Sequence, residues 1–217
     1  MRRMTLAGCM VAFMFGIAVG QAQALTHVEV GDAGDLPGTA QTAHGTPLTL
    51  IVGTIASSTD ADMYLIQVVG PFGATTVGLE GTLSDSKLYL FDLNGNGVWA
   101  NDDAASGSTI RSAITDDNLP LGCYYLAISG FGLEPFSAAG QIFNDEGPPN
   151  TQHGPDGPGG GSPITNWVST STTGDYVIEL RGVAECTDQT HAVPEPVTAG
   201  LSLVALAGLG LAATRRR

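Results

Sequence analysis

Short apolar segments with a two-residue alternation are the feature that most limits what this 217-residue chain can fold into. In residues 123–129, the side chains of Tyr124, Leu126 and Ile128 share one face of an extended strand, and residues 175–181 alternate in the same way. Gly, Asp, Asn, Ser and Pro separate the segments, and the interior shows no 3.6-residue apolar period. The predicted strands are residues 48–55, 63–69, 74–79, 87–92, 123–129 and 175–181. The sequence therefore predicts an all-β fold, an antiparallel jelly-roll-like β-sandwich over residues 25–190.

The N-terminal residues have the three parts of an export signal. Two arginines near the start precede apolar or small residues at 6–19, and Ala22 and Ala24 form a small-x-small cleavage site. This pattern predicts a signal helix within residues 1–24. A lipoprotein box ending at Cys9 is the alternative, but the apolar run continues well beyond that cysteine, which favours an ordinary cleaved signal.

The C-terminal end has an apolar segment followed by basic residues. Residues 197–214 carry no charge, and Arg215, Arg216 and Arg217 end the sequence. At about 1.5 Å per residue, a helix of this length covers roughly 27 Å, enough for the hydrocarbon core of a bilayer. The arginines resist translocation, so we expect a transmembrane helix with a cytoplasmic end. A simple tail anchor would have the same pattern.

The motif before the apolar segment makes the tail more specific. Pro194, Glu195 and Pro196 directly precede it, and the whole of residues 191–217 resembles a PEP-CTERM sorting signal. This resemblance implies a Gram-negative producer with a membrane protease, an exosortase, that cleaves near the motif. The protein would be anchored transiently in the inner membrane and then released to the cell surface or the extracellular matrix. Extracellular polysaccharide is the partner that the resemblance implies there.

The charge between the two ends excludes several classes of partner. Residues 25–194 contain three basic residues and twenty acidic ones, a net charge of −17. Such a surface repels nucleic acid and anionic membranes. It instead attracts divalent cations, or simply keeps the protein soluble.

Two cysteines remain after removal of the signal. Cys123 and Cys186 have no CxxC partner and no nearby His at a zinc-ligand spacing. An exported protein meets an oxidising environment, where a pair of cysteines favours a disulfide. We therefore expect a Cys123–Cys186 bridge.

Residues 143–164 are rich in Gly and Pro and predict a long surface loop. The loop could bind a ligand or could be a flexible insert without a role.

Most of the interior resembles a second known family. The sequences STDADMYLIQV at 58–68, KLYLFDLNGNGVWANDDA at 87–104 and LGCYYLAISG at 121–130 occur in that order, and VEVGDAGDLPGTAQT at 28–42 precedes them. The first three resemble a bacterial pre-peptidase C-terminal-type domain, and residues 28–42 resemble the opening of similar domains on other PEP-CTERM proteins. The resemblance implies a small, non-catalytic β-sandwich. Such domains usually accompany an enzyme, and no catalytic module stands beside this one.

Catalytic signatures are missing from the sequence. It contains no GxSxG, HExxH, GxGxxG or GxxxxGK[ST] motif, and its histidines are scattered, which predicts that they are solvated. A triad assembled from distant residues would escape this search, so a secreted hydrolase stays an alternative. We predict a non-catalytic protein.

One loop has the spacing of a calcium site. Its candidate ligands follow the D-x-[DN]-x-[DN]-G pattern and are Asp92, Asn94, Asn96, Val98 through its carbonyl, and Asp103. The twelfth position is Asp rather than Glu, which predicts weak binding. Asp60 and Asp62 could add carboxylates from a neighbouring strand. The Asn-Gly dipeptides also suit a bare hairpin turn, which is the competing interpretation.

The sequence thus predicts an exported, sorted, non-catalytic surface protein, with calcium as its candidate cofactor. A calcium-dependent carbohydrate-binding module is the alternative, in which Trp99, Trp167 or exposed tyrosines would stack on sugar rings.

Overall fold

The structure is a computed structural model that describes residues 25–104, 109–144 and 151–187. The chain divides into the units Met1–Thr187 and Asp188–Arg217, and all described residues belong to the first unit. Their secondary structure is entirely β, without a helix. The predicted signal helix and the predicted transmembrane helix lie outside the described residues.

Twelve strands make up the described fold. They are β1 (Leu25–Val28), β2 (Gln41–Thr42), β3 (Leu48–Ile55), β4 (Asp62–Thr75), β5 (Ser86–Phe91), β6 (Gly97–Asn101), β7 (Ala113–Asp116), β8 (Gly122–Gly130), β9 (Glu134–Ser137), β10 (Gly140–Gln141), β11 (Ile164–Val168) and β12 (Gly174–Glu185).

The strands form one large sheet and one small sheet. The large sheet has the order β1-β3-β12-β4-β8-β5-β6, with β2 and β7 also paired to β4, and the small sheet has the order β10-β9-β11. Two pairs, β1 with β3 and β2 with β4, are parallel, so the large sheet is mixed, whereas the prediction was an antiparallel arrangement. Parallel pairing needs a long crossover connection, and residues 29–47 supply one between β1 and β3.

The longest strand differs most from its prediction. The predicted strand 63–69 and the first two residues of the predicted strand 74–79 lie in β4, because the Gly70-Pro71 step between them does not end the strand. Residues 76–79 lie beyond the end of β4. Opposite this step, β12 contains a bulge at Gly182, whose φ is 70°. A Cβ atom on Gly182 would lie 2.3 Å from the carbonyl oxygen of Pro71. The bulge glycine therefore lets both strands continue past a turn-like sequence.

Side-chain alternation divides the core into two clusters on opposite faces of the large sheet. In β5, Leu88 and Leu90 join the first cluster, whereas Tyr89 and Phe91 join the second. All six residues of this strand are buried. Central strands covered on both faces have nearly continuous apolar sequences, as residues 88–91 of β5 do.

The Gly/Pro-rich segment borders the second cluster. Phe143 is buried at its start, and Ile164 is buried where β11 begins. In the described residues 151–163, the backbones of His153 and Ala100 exchange two hydrogen bonds of 2.9 Å. Gly157 N–H donates to the carbonyl of Ile142. This part of the predicted loop is therefore fastened to the sheet at defined points, and Phe143 and Ile164 belong to the core.

The structure joins Cys123 and Cys186 in a disulfide, as the sequence predicts, with 5.7 Å between the Cα atoms. Cys123 lies in β8, and Cys186 directly follows β12. The bridge therefore links the end of the last strand to the middle of the large sheet.

Replacing both cysteines, Cys123→Ser with Cys186→Ser, should lower the free energy of unfolding by about 2–4 kcal/mol, because the unfolded chain regains the entropy of a 63-residue loop. Urea unfolding of the two proteins measures the difference. Reductant should destabilise the wild type and leave the double variant unchanged. An unchanged urea midpoint in the double variant would contradict the stabilising role.

Candidate metal centre

The predicted calcium loop is a hairpin turn between β5 and β6. Asp92 Oδ1 accepts hydrogen bonds from the backbone N–H groups of Asn94 (2.8 Å) and Asn96 (2.9 Å), and Asp92 Oδ2 accepts one from the Asn96 side-chain amide (2.9 Å). Gly95 supplies the positive φ of 82° that the turn requires. The carboxylate of Asp92 thus serves the turn itself.

The five predicted ligands do not converge. Asp92 lies at the tip of the hairpin, whereas Asp103 lies beyond the other end of β6. The five residues of β6 span roughly 17 Å at about 3.3 Å per residue. The prediction of one calcium site formed by Asp92, Asn94, Asn96, Val98 and Asp103 is therefore wrong, because a strand occupies the part of the window that a calcium loop would curl around the ion.

Three carboxylates from the N-terminal part of the fold do converge. One carboxylate oxygen from each of Glu29, Asp32 and Asp62 lies within 4.8 Å of the other two. We call these three residues the acidic centre. Glu29 directly follows β1, Asp32 lies in the next turn, and Asp62 is the first residue of β4.

Local backbone structure explains how the first two carboxylates are placed. Gly31 and Gly34 adopt φ values of 74° and 65°, which reverse the chain around Asp32. Asp32 Oδ1 accepts a hydrogen bond from the Gly34 N–H (3.1 Å). Glu29 accepts from the backbone N–H groups of Ala33 (3.1 Å) and Thr54 (2.8 Å). Glu29 is therefore held beside β3, and hydrogen bonds within residues 29–34 keep its carboxylate close to that of Asp32.

Asp62 is the buried member of the acidic centre. Its side chain is 0% exposed. Its Oδ2 atom accepts a hydrogen bond from the Tyr176 hydroxyl (2.6 Å), and that hydroxyl also lies 2.6 Å from the hydroxyl of Tyr64. Its Oδ1 atom has no hydrogen-bond partner among the described residues. A buried carboxylate oxygen without a partner is costly, so this atom calls for a proton, a cation or a bound water molecule.

The pKa shifts of the carboxylates also show that negative charge is unfavourable in the acidic centre. Burial raises the pKa of Asp62 to about 8, opposed by the Tyr176 hydroxyl and reinforced by the charges of the neighbouring carboxylates. Burial also raises the pKa of Glu29 and of Asp60, partly offset by hydrogen bonds from backbone N–H groups. Carboxylates grouped in this way resist full ionisation unless a positive charge joins them.

An open cleft of about 460 Å³ borders the acidic centre. Its lining includes Glu29, Asp32, Asp60 and Asp175. Gly53 lies at its base, where a Cβ atom would fall 2.7 Å from Glu29 Oε2 and 2.3 Å from the Tyr176 hydroxyl oxygen. Only glycine leaves room there for these two groups.

The chemistry of the centre suits a hard cation. All its side-chain donors are carboxylate oxygens, without nitrogen or sulfur, which is the donor set that Ca²⁺ and Mg²⁺ prefer. Of the two residues expected to assist Asp92, Asp62 belongs to the acidic centre instead, and Asp60 lines the adjoining cleft. The sequence contains two acidic segments that indicate this centre, VEVGDAGD at 28–35 and STDADMY at 58–64. They are about thirty residues apart and come together only through the pairing of strands, so sequence reasoning did not connect them.

A second acidic group, Asp85, Asp102 and Asp103, lies beyond the base of the β5–β6 hairpin. Burial and the charge of Asp103 raise the pKa of Asp85, and the ammonium group of Lys87 lowers it. We assign no metal to this group.

The two tryptophans are half-buried, and their ring N–H groups are engaged. Trp99 Nε1 donates to Asp116 Oδ2 (3.1 Å), and Trp167 Nε1 donates to the carbonyl of Asp35 (2.6 Å). Trp167 also packs edge-on against Tyr89. Both indole N–H groups therefore have partners within the fold.

The expectation that all histidines are solvated is wrong for His27, which is buried in β1. Its Nε2 atom donates to Gln41 Oε1 (2.8 Å), and its Nδ1 atom accepts from the backbone N–H of His44 (3.2 Å). His27 also packs edge-on against Tyr64. It therefore helps to hold the segment that carries the acidic centre. His191 lies outside the described residues.

The residues predicted for processing, Ala22, Ala24, Pro194, Glu195, Pro196, Arg215, Arg216 and Arg217, also lie outside the described residues. Among the described parts of the chain, no helix could cross a membrane. Comparisons with known protein families and with curated proteins gave no match to this chain.

In metal-free buffer, stability should fall as pH rises from about 4 to about 8. Unfolded Asp62 loses its proton near the ordinary pKa of 3.8, whereas the folded group keeps it until about pH 8, so the folded state binds the extra proton in this window. Urea midpoints at several pH values, in the presence of a chelator, measure the slope. Asp62→Asn should flatten it, because the amide does not titrate; equal slopes in the two proteins would contradict the assignment.

Proposed function

We propose that this chain is an exported, non-catalytic protein of the cell surface or the extracellular matrix. The N-terminal export signal and the C-terminal PEP-CTERM-like tail support this proposal. The tail would pass through the inner membrane of a Gram-negative cell until an exosortase cleaves near Pro194. The net charge of −17 between the two ends argues against nucleic acid as a partner and is compatible with a hydrated polysaccharide matrix.

We further propose that the mature domain is a jelly-roll-like β-sandwich. Support comes from the burial of central strands on both faces of the large sheet, and from the small sheet β10-β9-β11, which contributes Ile164 to the second cluster. The two short parallel pairs lie at the N-terminal strands and would be additions to an otherwise antiparallel arrangement.

Calcium is the cofactor that we assign to this domain, at the acidic centre. The observation that carries the assignment is the buried Oδ1 atom of Asp62, which has no hydrogen-bond partner among the described residues and belongs to a group of three carboxylates. A cation held by Glu29, Asp32 and Asp62 would balance their charge and complete the coordination of that oxygen. Asp60, which also lines the cleft, is close enough to add to the negative field.

The role of the ion would be structural. It would tie the turn after β1 to the start of β4, and Asp62 in turn holds Tyr176 of β12. Extracellular modules bind calcium with dissociation constants of about 10⁻⁴–10⁻³ M, so calcium outside the cell would suffice to keep such a site filled. An exported protein with an unoccupied centre would be less stable, which couples folding to arrival outside the cell.

Calcium should raise the melting temperature of the purified full chain. At a concentration a hundred times the dissociation constant, the gain is about 2.7 kcal/mol, because the ion binds only the folded state. Asp62→Asn should abolish the shift, since it removes the charge but keeps the shape of the protonated side chain. Differential scanning calorimetry, with and without a chelator, measures both.

Asp92→Asn is the matched control for this experiment. It weakens the hairpin turn and lowers the melting temperature in all buffers, but the calcium-induced shift should persist. Loss of the shift in Asp92→Asn and its survival in Asp62→Asn would overturn the acidic centre and restore the hairpin as the site. Absence of any shift in the wild type would remove calcium from the proposal.

Sorting is tested by fractionation of the native host. Replacing Pro194, Glu195 and Pro196 by Ala should leave the protein in the inner membrane, because the exosortase has no motif to cleave near. Deletion of the exosortase should have the same effect on the wild type. Release of the protein in both cases would contradict the sorting proposal while leaving the calcium proposal intact.

A further inference from the structure

Lys87 is the one lysine in the 217-residue chain, and it is buried. It lies in β5 between Ser86 and Leu88, and only 5% of its surface is exposed. Lysine is among the residues least often found in this state, because its ammonium group loses hydration on burial. Its neighbours therefore decide its chemistry.

The amine of Lys87 meets a buried carboxyl group. Its Nζ atom lies 2.5 Å from Oε1 of Glu134, which is also 5% exposed. The carboxyl carbon is one bond further away, so its distance from Nζ is on the order of 3–3.5 Å, the separation of a near-attack arrangement. The ring of Phe131 covers the amine at 5.7 Å. The two reacting groups are thus held together away from water.

The second oxygen of the carboxyl group is also occupied. Glu134 Oε2 accepts a hydrogen bond from the Tyr89 hydroxyl (3.1 Å). Tyr89 is fully buried, and burial together with the charge of Glu134 holds its pKa well above the usual range, so it stays a donor. The same hydroxyl lies 3.3 Å from the carbonyl oxygen of Leu133. When it donates to Glu134 Oε2, it would stabilise the negative charge that develops there as a nucleophile attacks the carboxyl carbon.

Burial of the pair brings its neutral form within reach. Burial lowers the pKa of an amine and raises the pKa of a carboxylic acid, so proton transfer from ammonium to carboxylate produces a neutral amine and a protonated acid. A neutral amine is a nucleophile, and a protonated acid can lose its hydroxyl group as water.

We propose that Lys87 and Glu134 condense to an intramolecular amide. The Nζ atom attacks the Glu134 carboxyl carbon, an N–C bond forms, and the C–O bond to the hydroxyl group breaks. The amine loses one proton to the departing hydroxyl group, and one water molecule leaves. No oxidant, reductant or further reactant is needed.

Such a bond would join the two sheets. Lys87 belongs to β5 of the large sheet, and Glu134 begins β9 of the small sheet, 47 residues later in the chain. Like the disulfide it would restrict the unfolded chain, but it would survive reduction. A cross-link of this kind suits a protein that works outside the cell, where damaged chains are not refolded.

Mass spectrometry of the reduced full chain tests the proposal. The measured mass should be lower than that of the uncross-linked chain by one water. Trypsin should then fail to cleave after Lys87, and residues 25–111 should stay covalently joined to residues 112–181, because the interior offers only Arg111 and Arg181 as other cleavage sites. Separate peptides 25–87 and 88–111 would overturn the proposal.

The same digest identifies the partner of Lys87. A cross-link to Asp102 would leave residues 25–111 as one peptide, lighter by one water and free of residues 112–181, and would overturn the assignment to Glu134. Lys87→Met should restore the full calculated mass. Since that variant can also unfold, the wild-type digest remains the deciding measurement.

Arg181→Lys is a matched control for the reactivity of the amine. It places a lysine in an exposed ion pair, because Arg181 contacts Asp117 at 2.8 Å with more than half of each side chain exposed. After denaturation, an amine-specific reagent should label position 181 of this variant and leave position 87 unlabelled. Equal labelling of both positions would show that Lys87 forms only an ion pair.

Discussion

The buried carboxylate of Asp62 is the constraint on which the N-terminal half of the fold depends. It stands at the start of β4, the longest strand, and accepts a hydrogen bond from Tyr176 of β12, which pairs with β4. One of its oxygens has no hydrogen-bond partner among the described residues. A buried charge of this kind is tolerated only when a proton or a cation balances it. The segment after β1 brings Glu29 and Asp32 to the same place, which completes the group of three carboxylates.

The opposite face of the large sheet contains a second buried polar centre. Tyr176 of the first hydrophobic cluster donates its hydroxyl hydrogen bond to Asp62, whereas Tyr89 of the second cluster donates to Glu134. In both places, a tyrosine fills apolar space with its ring and satisfies a buried carboxylate with its hydroxyl. Each face of the large sheet thus buries one carboxylate, Asp62 or Glu134, and each of these accepts a hydrogen bond from a buried tyrosine.

Much of the strand pattern was predictable, and its failures have local causes. Residues 48–55 form β3 as predicted, because apolar alternation there follows the pairing of the sheet. The Gly-Pro step in β4 looked like a strand end, since the compensating bulge at Gly182 lies over a hundred residues away. The loop from Asp92 to Asp103 matched a calcium motif by spacing alone, but β6 extends through it and separates its ends. The spacing of acidic residues indicates metal ligands only when the backbone between them forms a loop around the ion.

The sequence by itself determined the all-β class, the positions of most long strands, the pairing of Cys123 with Cys186, and the acidity that limits the partners. These features follow from local alternation, composition and the small number of cysteines. Tertiary structure alone decided which acidic residues lie close together and which carboxylate pairs with the single lysine. Glu29 meets Asp62, and Lys87 meets Glu134, through strand pairing and through the packing of two sheets. Such contacts between distant residues leave no periodic trace in the chain, because they depend on register and on the path of the connections between strands.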